Sequence, residues 1–218
     1  MRRLVLGVLV VGIVSSFATH AASLAREYVW EYAGRTWTLA ERFDFGTYIR
    51  YQRLPRVARL TEYGVYVLDP GVGAAIDGLV ADLDRLAAGA GLDTWGRLHL
   101  VASFVQALRY VPEEGEYPRY PIETLVEGCG DCEDLAILTA AILRHMGFGV
   151  VLLAFTDEMH MAVGIRVPPP DARGASAYEW NGEDYYYLET TAAGWTIGKM
   201  PPGYASAPAI IALAPTPP

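Results

Sequence analysis

Cys132 heads an apolar stretch, in the run Gly128-Cys129-Gly130-Asp131-Cys132-Glu133-Asp134, and His160 and Glu189 follow it in the chain in that order. If Asp131 caps a helix, Cys132 is its first residue. A thiol there lies beside unsatisfied N–H groups and the positive end of the helix dipole, both of which favour thiolate. A Cys…His…acid order on the right elements is the raw material of nucleophilic chemistry. Each residue has a plainer reading on its own. A cysteine at a helix start is commonly a small buried residue. His160, between Met159 and Met161, fits a satisfied semi-buried histidine, and Glu189 a surface carboxylate.

Cys129 and Cys132 also form a Cys-x-x-Cys. A redox pair of the thioredoxin type needs a strand before it and a βαβ unit around it. Here a Pro-rich loop precedes and the following strands read as antiparallel. A zinc reading of Cys129, Cys132 and His145 lacks its fourth ligand, because residues 149–151 are Gly-Val-Val. A disulfide between the two cysteines would block Cys132, and a neutral cysteine at 129 is the simpler account.

The elements that must position these residues follow from periodicity. Residues 132–146 are apolar nearly all round, with Gly147 at the C′ position, so they read as a central buried helix. Residues 149–155, 159–165 and 185–191 read as three antiparallel strands, with a long polar excursion at 168–182. Upstream, Tyr28, Trp30 and Tyr32 and then Trp37 and Leu39 alternate about Ala33-Gly34-Arg35, the pattern of a β-hairpin. Residues 47–60 carry arginines expected in solvent. Residues 63–68 read as a short strand closed by Asp69-Pro70-Gly71. Helices are expected over 74–88 and, capped by Asp93 or Thr94, from there to about Tyr110. Residues 112–121 read as a loop.

Gly-Asp-Cys-Glu-Asp opening an apolar helix, then His-Met-Ala-Val-Gly, then Tyr-Leu-Glu-Thr-Thr before Gly194-Trp195, resembles the transglutaminase-like superfamily. The nearer likeness is to archaeal transglutaminase-like proteins and bacterial transglutaminase-like cysteine proteinases. It covers about residues 97–198. The resemblance implies an α+β, papain-like fold, with Cys132 as nucleophile, His160 as general base and Glu189 as orienting acid, where Asp is commoner in the superfamily. The chemistry agrees. An imidazolium lowers a thiol from its free value of about 8.5, and the acid selects the imidazole tautomer and stabilises its charge. The oxyanion needs donors, for which the Cys132 backbone N–H and the side chain of Gln106 are candidates, an exposed helical glutamine being the plainer reading of the latter. In the proteinase relatives the acids flanking the cysteine are associated with calcium, so Asp131, Glu133 and Asp134 become candidate calcium ligands. Helix capping and the helix dipole explain the same three acids without a metal. No other cofactor is implied.

Residues 1–25 begin with Arg2-Arg3, run apolar over 4–14 and exit through small residues. That pattern marks a secretory signal, with a membrane tether through residues 4–24 as the competing reading. Either places the folded part outside the cytoplasm. Residues 26–70 are expected to form a β elaboration, 71–204 the transglutaminase-like domain, and 205–218 a disordered Pro-rich tail. With 218 residues, 52% of them hydrophobic, the chain is ample for a core, which excludes a wholly disordered protein. A net charge of −8 excludes a partner bound through nucleic-acid phosphates. The expected function is a thiol-dependent peptidase or amidohydrolase acting on polypeptides. The alternative is a catalytically inactive binding or scaffolding module of the same fold. Thiol reactivity dependent on His160 separates the two.

Overall fold

A computed structural model describes residues 22–113, 115–170, 172–204 and 206–213. Strands β1 (Ser23–Tyr32) and β2 (Arg35–Asp44) pair in register from Ser23↔Asp44 to Tyr32↔Arg35. Ala33 (φ 52°) and Gly34 (φ 72°) close the hairpin, both in the left-handed region that a tight two-residue turn demands. One face carries the buried Tyr28, Trp30, Trp37, Leu39 and Phe43, while Val29 lies in solvent on the other. The leader expected over 1–25 lies mostly outside the described residues, and positions 23–25 are already strand. Among the described residues no single helix is long and apolar enough to cross a membrane.

Asp44 caps α1 (Phe45–Gln52), its carboxylate accepting from the Thr47 N–H at 2.7 Å. Residues 63–68, expected as a strand, are instead a short helix α2 (Gly64–Leu68) entered through a 3₁₀ turn at Leu60–Glu62. Tyr63, Tyr66 and Val67 are buried at helical spacing, and this burial overrides the strand-like alternation. Asp69-Pro70 does not close a strand but opens α3 (Pro70–Gly89), with Asp69 accepting from the Gly71 N–H and Pro70 in the first turn. Asp93 caps α4 (Thr94–Gln106), which ends one turn earlier than expected and gives way to β3 (Arg109–Tyr110). Within the expected 112–121 loop, Pro121 starts an unanticipated helix α5 (Pro121–Glu127), followed by β4 (Cys129–Gly130), which pairs parallel to β3.

Helix α6 (Cys132–His145) is the centre of the molecule, buried at every position from Asp134 to Leu143. It packs on strands β5 (Val150–Phe155) and β6 (His160–Ile165), and helices α2 to α5 surround it. Strands β7 (Ala177–Trp180), β8 (Glu183–Leu188) and β9 (Ala209–Ala212) complete an antiparallel sheet of order β7-β8-β6-β5-β9. The expected three strands are therefore five. β7 comes from the polar excursion. β9 comes from residues 205–218, expected to be disordered, and pairs Leu152 with Ile211. Residues 214–218 lie outside the described residues. The hairpin joins the same apolar core as α6. Tyr28 and Trp30 meet the Phe104 ring edge-on at 5.2 and 5.3 Å, and the Tyr28 hydroxyl donates to the Leu125 carbonyl at 2.9 Å.

Candidate active site

The start of α6 is fixed from two sides. Asp131 accepts from the Asp134 N–H, and Asp134 accepts from the Asp131 N–H, both at 3.3 Å, a reciprocal cap that makes Cys132 the first helical residue. Asp134 also accepts from the Arg119 N–H at 2.6 Å and is gripped by the Arg119 guanidinium. Gly130 is required by this packing, since a Cβ there would lie 2.5 Å from the Asp134 Cβ. Arg119 further bonds Glu127 at 2.9 Å and pairs with Glu113. Burial opposes the Arg119 charge, but the Asp134 and Glu127 carboxylates outweigh it and hold the guanidinium protonated. Burial and the Asp131 charge push the Asp134 carboxyl up while Arg119 pulls it down. With Arg119 charged throughout, an ionised pair is the arrangement these hydrogen bonds describe.

His160 opens β6, opposite Phe155 of β5. Before it, Met159 adopts a left-handed backbone (φ 48°) and is 87% exposed, a strained position at the lip of the site. Glu189 follows the last residue of β8, the strand beside β6, so sheet pairing alone brings the two together. His160 Nε2 lies 3.0 Å from Glu189 Oε2. The two atoms are within hydrogen-bonding distance, although the N–H is not aligned on the carboxylate oxygen. Glu189, 2% exposed, is held by the Tyr187 hydroxyl (2.7 Å), the Thr191 hydroxyl (2.7 Å) and the N–H groups of Thr190 (2.9 Å) and Thr191 (3.0 Å). Burial alone would raise its pKa. His160 and these donors more than offset that and hold the carboxyl down at about 2.

Cys132 and His160 line one cleft of about 300 Å³ with Tyr63, Glu116, Glu133, Phe155 and Met159. The thiol donates to Glu133 Oε2 at 3.2 Å and lies 4.0 Å from the Met159 carbonyl. Burial and the Glu133 charge push the thiol well above its ordinary value, against a smaller opposing pull from the Met161 N–H. The helix-dipole expectation of a thiolate is therefore reversed. Burial, together with a carboxylate in contact, outweighs the partial charges at the start of the helix.

Gln106 is neither exposed nor in the cleft. Its amide donates to the carbonyls of Glu189 at 2.8 Å and Trp195 at 3.1 Å. Both donors are engaged, so the oxyanion role expected of it gives way to holding the Glu189 segment in place. The backbone N–H of Cys132, at the first helical position, has no partner within its own helix. The candidate calcium ligands do not converge either. Asp134 is taken by Arg119, whereas Asp131 interacts with Glu133 and is pushed up to about 7 by burial and the Glu133 charge. Among the described residues no three His, Cys, Asp or Glu side chains are arranged to hold a metal ion. Of the three candidate ligands, Asp131 and Glu133 stay in contact while Asp134 is turned to Arg119. Cys129 and Cys132 are both free thiols, and His145 caps its own helix through Nδ1 and the Ala141 carbonyl at 3.1 Å.

The sequence did not single out Tyr187, Thr191 or Tyr204. Tyr204 meets the His160 ring at 5.3 Å, and its hydroxyl is pushed up to about 12 chiefly by burial and by the charge of Glu189. Tyr187 had a signal, the strand alternation that points it to the same side of β8 as Glu189. Tyr204 had none.

No protein-family model and no curated protein sequence matches the chain. Among solved structures it is similar to LapG of Legionella pneumophila, at 21% identity over 54% of this chain and 76% of that one, with a TM-score of 0.33. The calcium-bound form of that LapG gives 19% identity, the same coverage and the same TM-score. A candidate cysteine protease from Cytophaga hutchinsonii gives 12% identity over 88% of this chain and 73% of that one, with a TM-score of 0.39.

Proposed function

We propose that the protein is an exported thiol enzyme of transglutaminase-like type that cleaves amide bonds in polypeptides through Cys132, His160 and Glu189. The observation that carries this reading is one cleft lined by a helix-start thiol and by an imidazole tethered to a buried, ionised Glu189. Nε2 of His160 faces Glu189, which leaves Nδ1 for the thiol proton. In acylation the Cys132 proton passes to His160 while the sulfur attacks the amide carbon. The carbonyl oxygen becomes an oxyanion, for which the Cys132 N–H is a donor. Collapse breaks the C–N bond, and His160 returns its proton to the departing amine. Water then attacks the thioester, gives one proton to His160 and releases the acid, and the sulfur regains its proton. Attack by a second amine in place of water would give transamidation.

The binding-module alternative is favoured by a specific observation, the thiol held neutral by burial and by Glu133. The test is digestion by the full chain of a peptide library made with a glutamate-specific protease, which keeps internal lysines and arginines, with new termini read by mass spectrometry. Cleavage is expected, with Cys132→Ser silent and His160→Ala lower by about 10²–10⁴-fold, the usual range for a lost general base. Cleavage unchanged in Cys132→Ser would remove the thiol mechanism, and no cleavage by wild type would leave the binding module as the function.

A further inference from the structure

Phe155 belongs to an apolar cluster with Val151, Leu153 and Tyr187, separate from the core that holds α6. As its cross-strand partner, His160 stands on that same face of the sheet. The polar tether of the imidazole among the described residues is Glu189, at 3.0 Å from Nε2 and with the N–H out of line. One such attachment places a ring atom but leaves the plane of the ring undetermined. Tyr204 supplies a second. Its ring meets the imidazole at 5.3 Å with the planes 61° apart, and Phe155 at 5.4 Å with the planes 48° apart. The Tyr204 hydroxyl has no hydrogen-bond partner among the described residues, so the contact is one of rings. The segment that carries Tyr204 is fixed in turn. Glu158, in the turn between β5 and β6, accepts from the Ser206 N–H at 3.2 Å and from the Ser206 hydroxyl. The turn that leads into His160 and the segment that covers His160 are therefore tied to each other.

Tilted and edge-to-face contacts between rings favour particular relative planes. We propose that Tyr204 is a positioning residue for His160, its ring stopping the imidazole from turning off Glu189 and so keeping Nδ1 towards the cleft that holds Cys132. Glu158 acts at one remove further, by holding Tyr204 over the imidazole. A base that swings among orientations is within reach of the proton for only part of the time, and misplacement by about 1 Å costs up to about 10²-fold in rate. The role deepens the thiol-enzyme reading and rests on it for its catalytic meaning. The restraint on the ring is measurable without turnover.

The experiment follows the Nε2–H proton of His160 by NMR in the full chain, with the histidine ring nitrogens labelled and the resonance identified by its absence in His160→Ala. An imidazole held on Glu189 keeps this proton from exchanging with water. The resonance is expected in wild type and in Tyr204→Phe, which retains the ring, and is expected to be lost in Tyr204→Ala. Should Tyr204→Ala not fold, Glu158→Ala decides in its place, since it leaves both rings present, and the resonance should again weaken. No such resonance in wild type, its loss in Tyr204→Phe, or its full retention in the deciding variant overturns the proposal. A second readout uses a peptide that wild type cleaves. Tyr204→Ala should lower kcat by about tenfold or more with KM unchanged, and Tyr204→Phe should restore it. A raised KM with kcat unchanged would make Tyr204 a substrate contact and overturn the positioning role. Loss of the resonance in Tyr204→Ala together with no peptide cleavage by wild type would leave the restraint on His160 standing and remove only the enzyme.

Discussion

At the scale of single residues, the ionisation of two groups sets what the site can do, and their environments push them in opposite directions. Glu189 is buried, yet four donors and His160 keep it ionised. Cys132 is buried beside Glu133 and stays protonated. The Glu189 shift is also a statement about stability. Its folded pKa, about 2, lies below the ordinary 4.5, so its contribution is fully present above about pH 4.5 and is lost as the pH falls towards 2. Integrated over that window the loss is about 3 kcal/mol. Urea unfolding of wild type and Glu189→Gln at pH 7 and at about pH 3 should show the wild-type advantage shrinking with acid. An advantage that does not depend on pH would mean that the carboxylate is not held ionised.

At the scale of elements, α6 is secured by Arg119, which the sequence did not mark, and the segment after β8 by Gln106, which it marked for a different role. Gln106 joins α4 to the Glu189 and Trp195 carbonyls. Gln106→Leu leaves two buried carbonyls without donors and should lower stability by about 2–4 kcal/mol. Because the displaced segment carries Glu189, the variant should also lose the acid-dependent stability that Glu189 supplies. Retention of that pH dependence would show that Gln106 does not position Glu189. Periodicity located the hairpin, α6, β5 and β6 because each buries one repeating face or lies wholly inside. It failed at α2, where Tyr63-Gly64-Val65-Tyr66-Val67-Leu68 satisfies both a strand and a helix pattern and burial of Tyr66 and Val67 decides. α5 was hidden because its first residue is one of several prolines that read as loop. β7 and β9 are short strands at the edges of the sheet; β9 pairs with β5, remote in the chain, whereas β7 pairs with β8 across Asn181-Gly182, a hairpin turn hidden within the polar excursion.

For the whole molecule, one apolar core links the hairpin, the helices and the sheet, and buried ion pairs lock the helical side to the head of α6. Arg56, expected in solvent, is 2.8 Å from the buried Glu123, and Arg119 reaches Asp134. Neither pairing was legible, because the acids come from α5 and α6 and only the folded chain shows that they face arginines. Removing one partner leaves a buried charge alone. Glu123→Ala should therefore cost about 3–5 kcal/mol. A midpoint of urea unfolding within error of wild type would show that the pair carries no such cost. The order Cys132, His160, Glu189 was legible because neighbouring strands bring the last two together and a cap places the first. The restraint by Glu133 was not, since which way a first-turn side chain turns depends on the cleft it meets.

The measurement that bears most directly on Cys132 and His160 as a working pair is the rate of iodoacetamide alkylation of Cys132 between about pH 5 and pH 9, spanning the free thiol value. It compares wild type, Glu133→Gln, and Glu133→Gln with His160→Ala. Near pH 7 the wild-type thiol should react slowly and Glu133→Gln about tenfold faster, the equivalent of one pKa unit. Adding His160→Ala should abolish that gain. If the rate in Glu133→Gln is the same with or without His160, the imidazole does not serve the thiol, and the thiol-enzyme account is wrong.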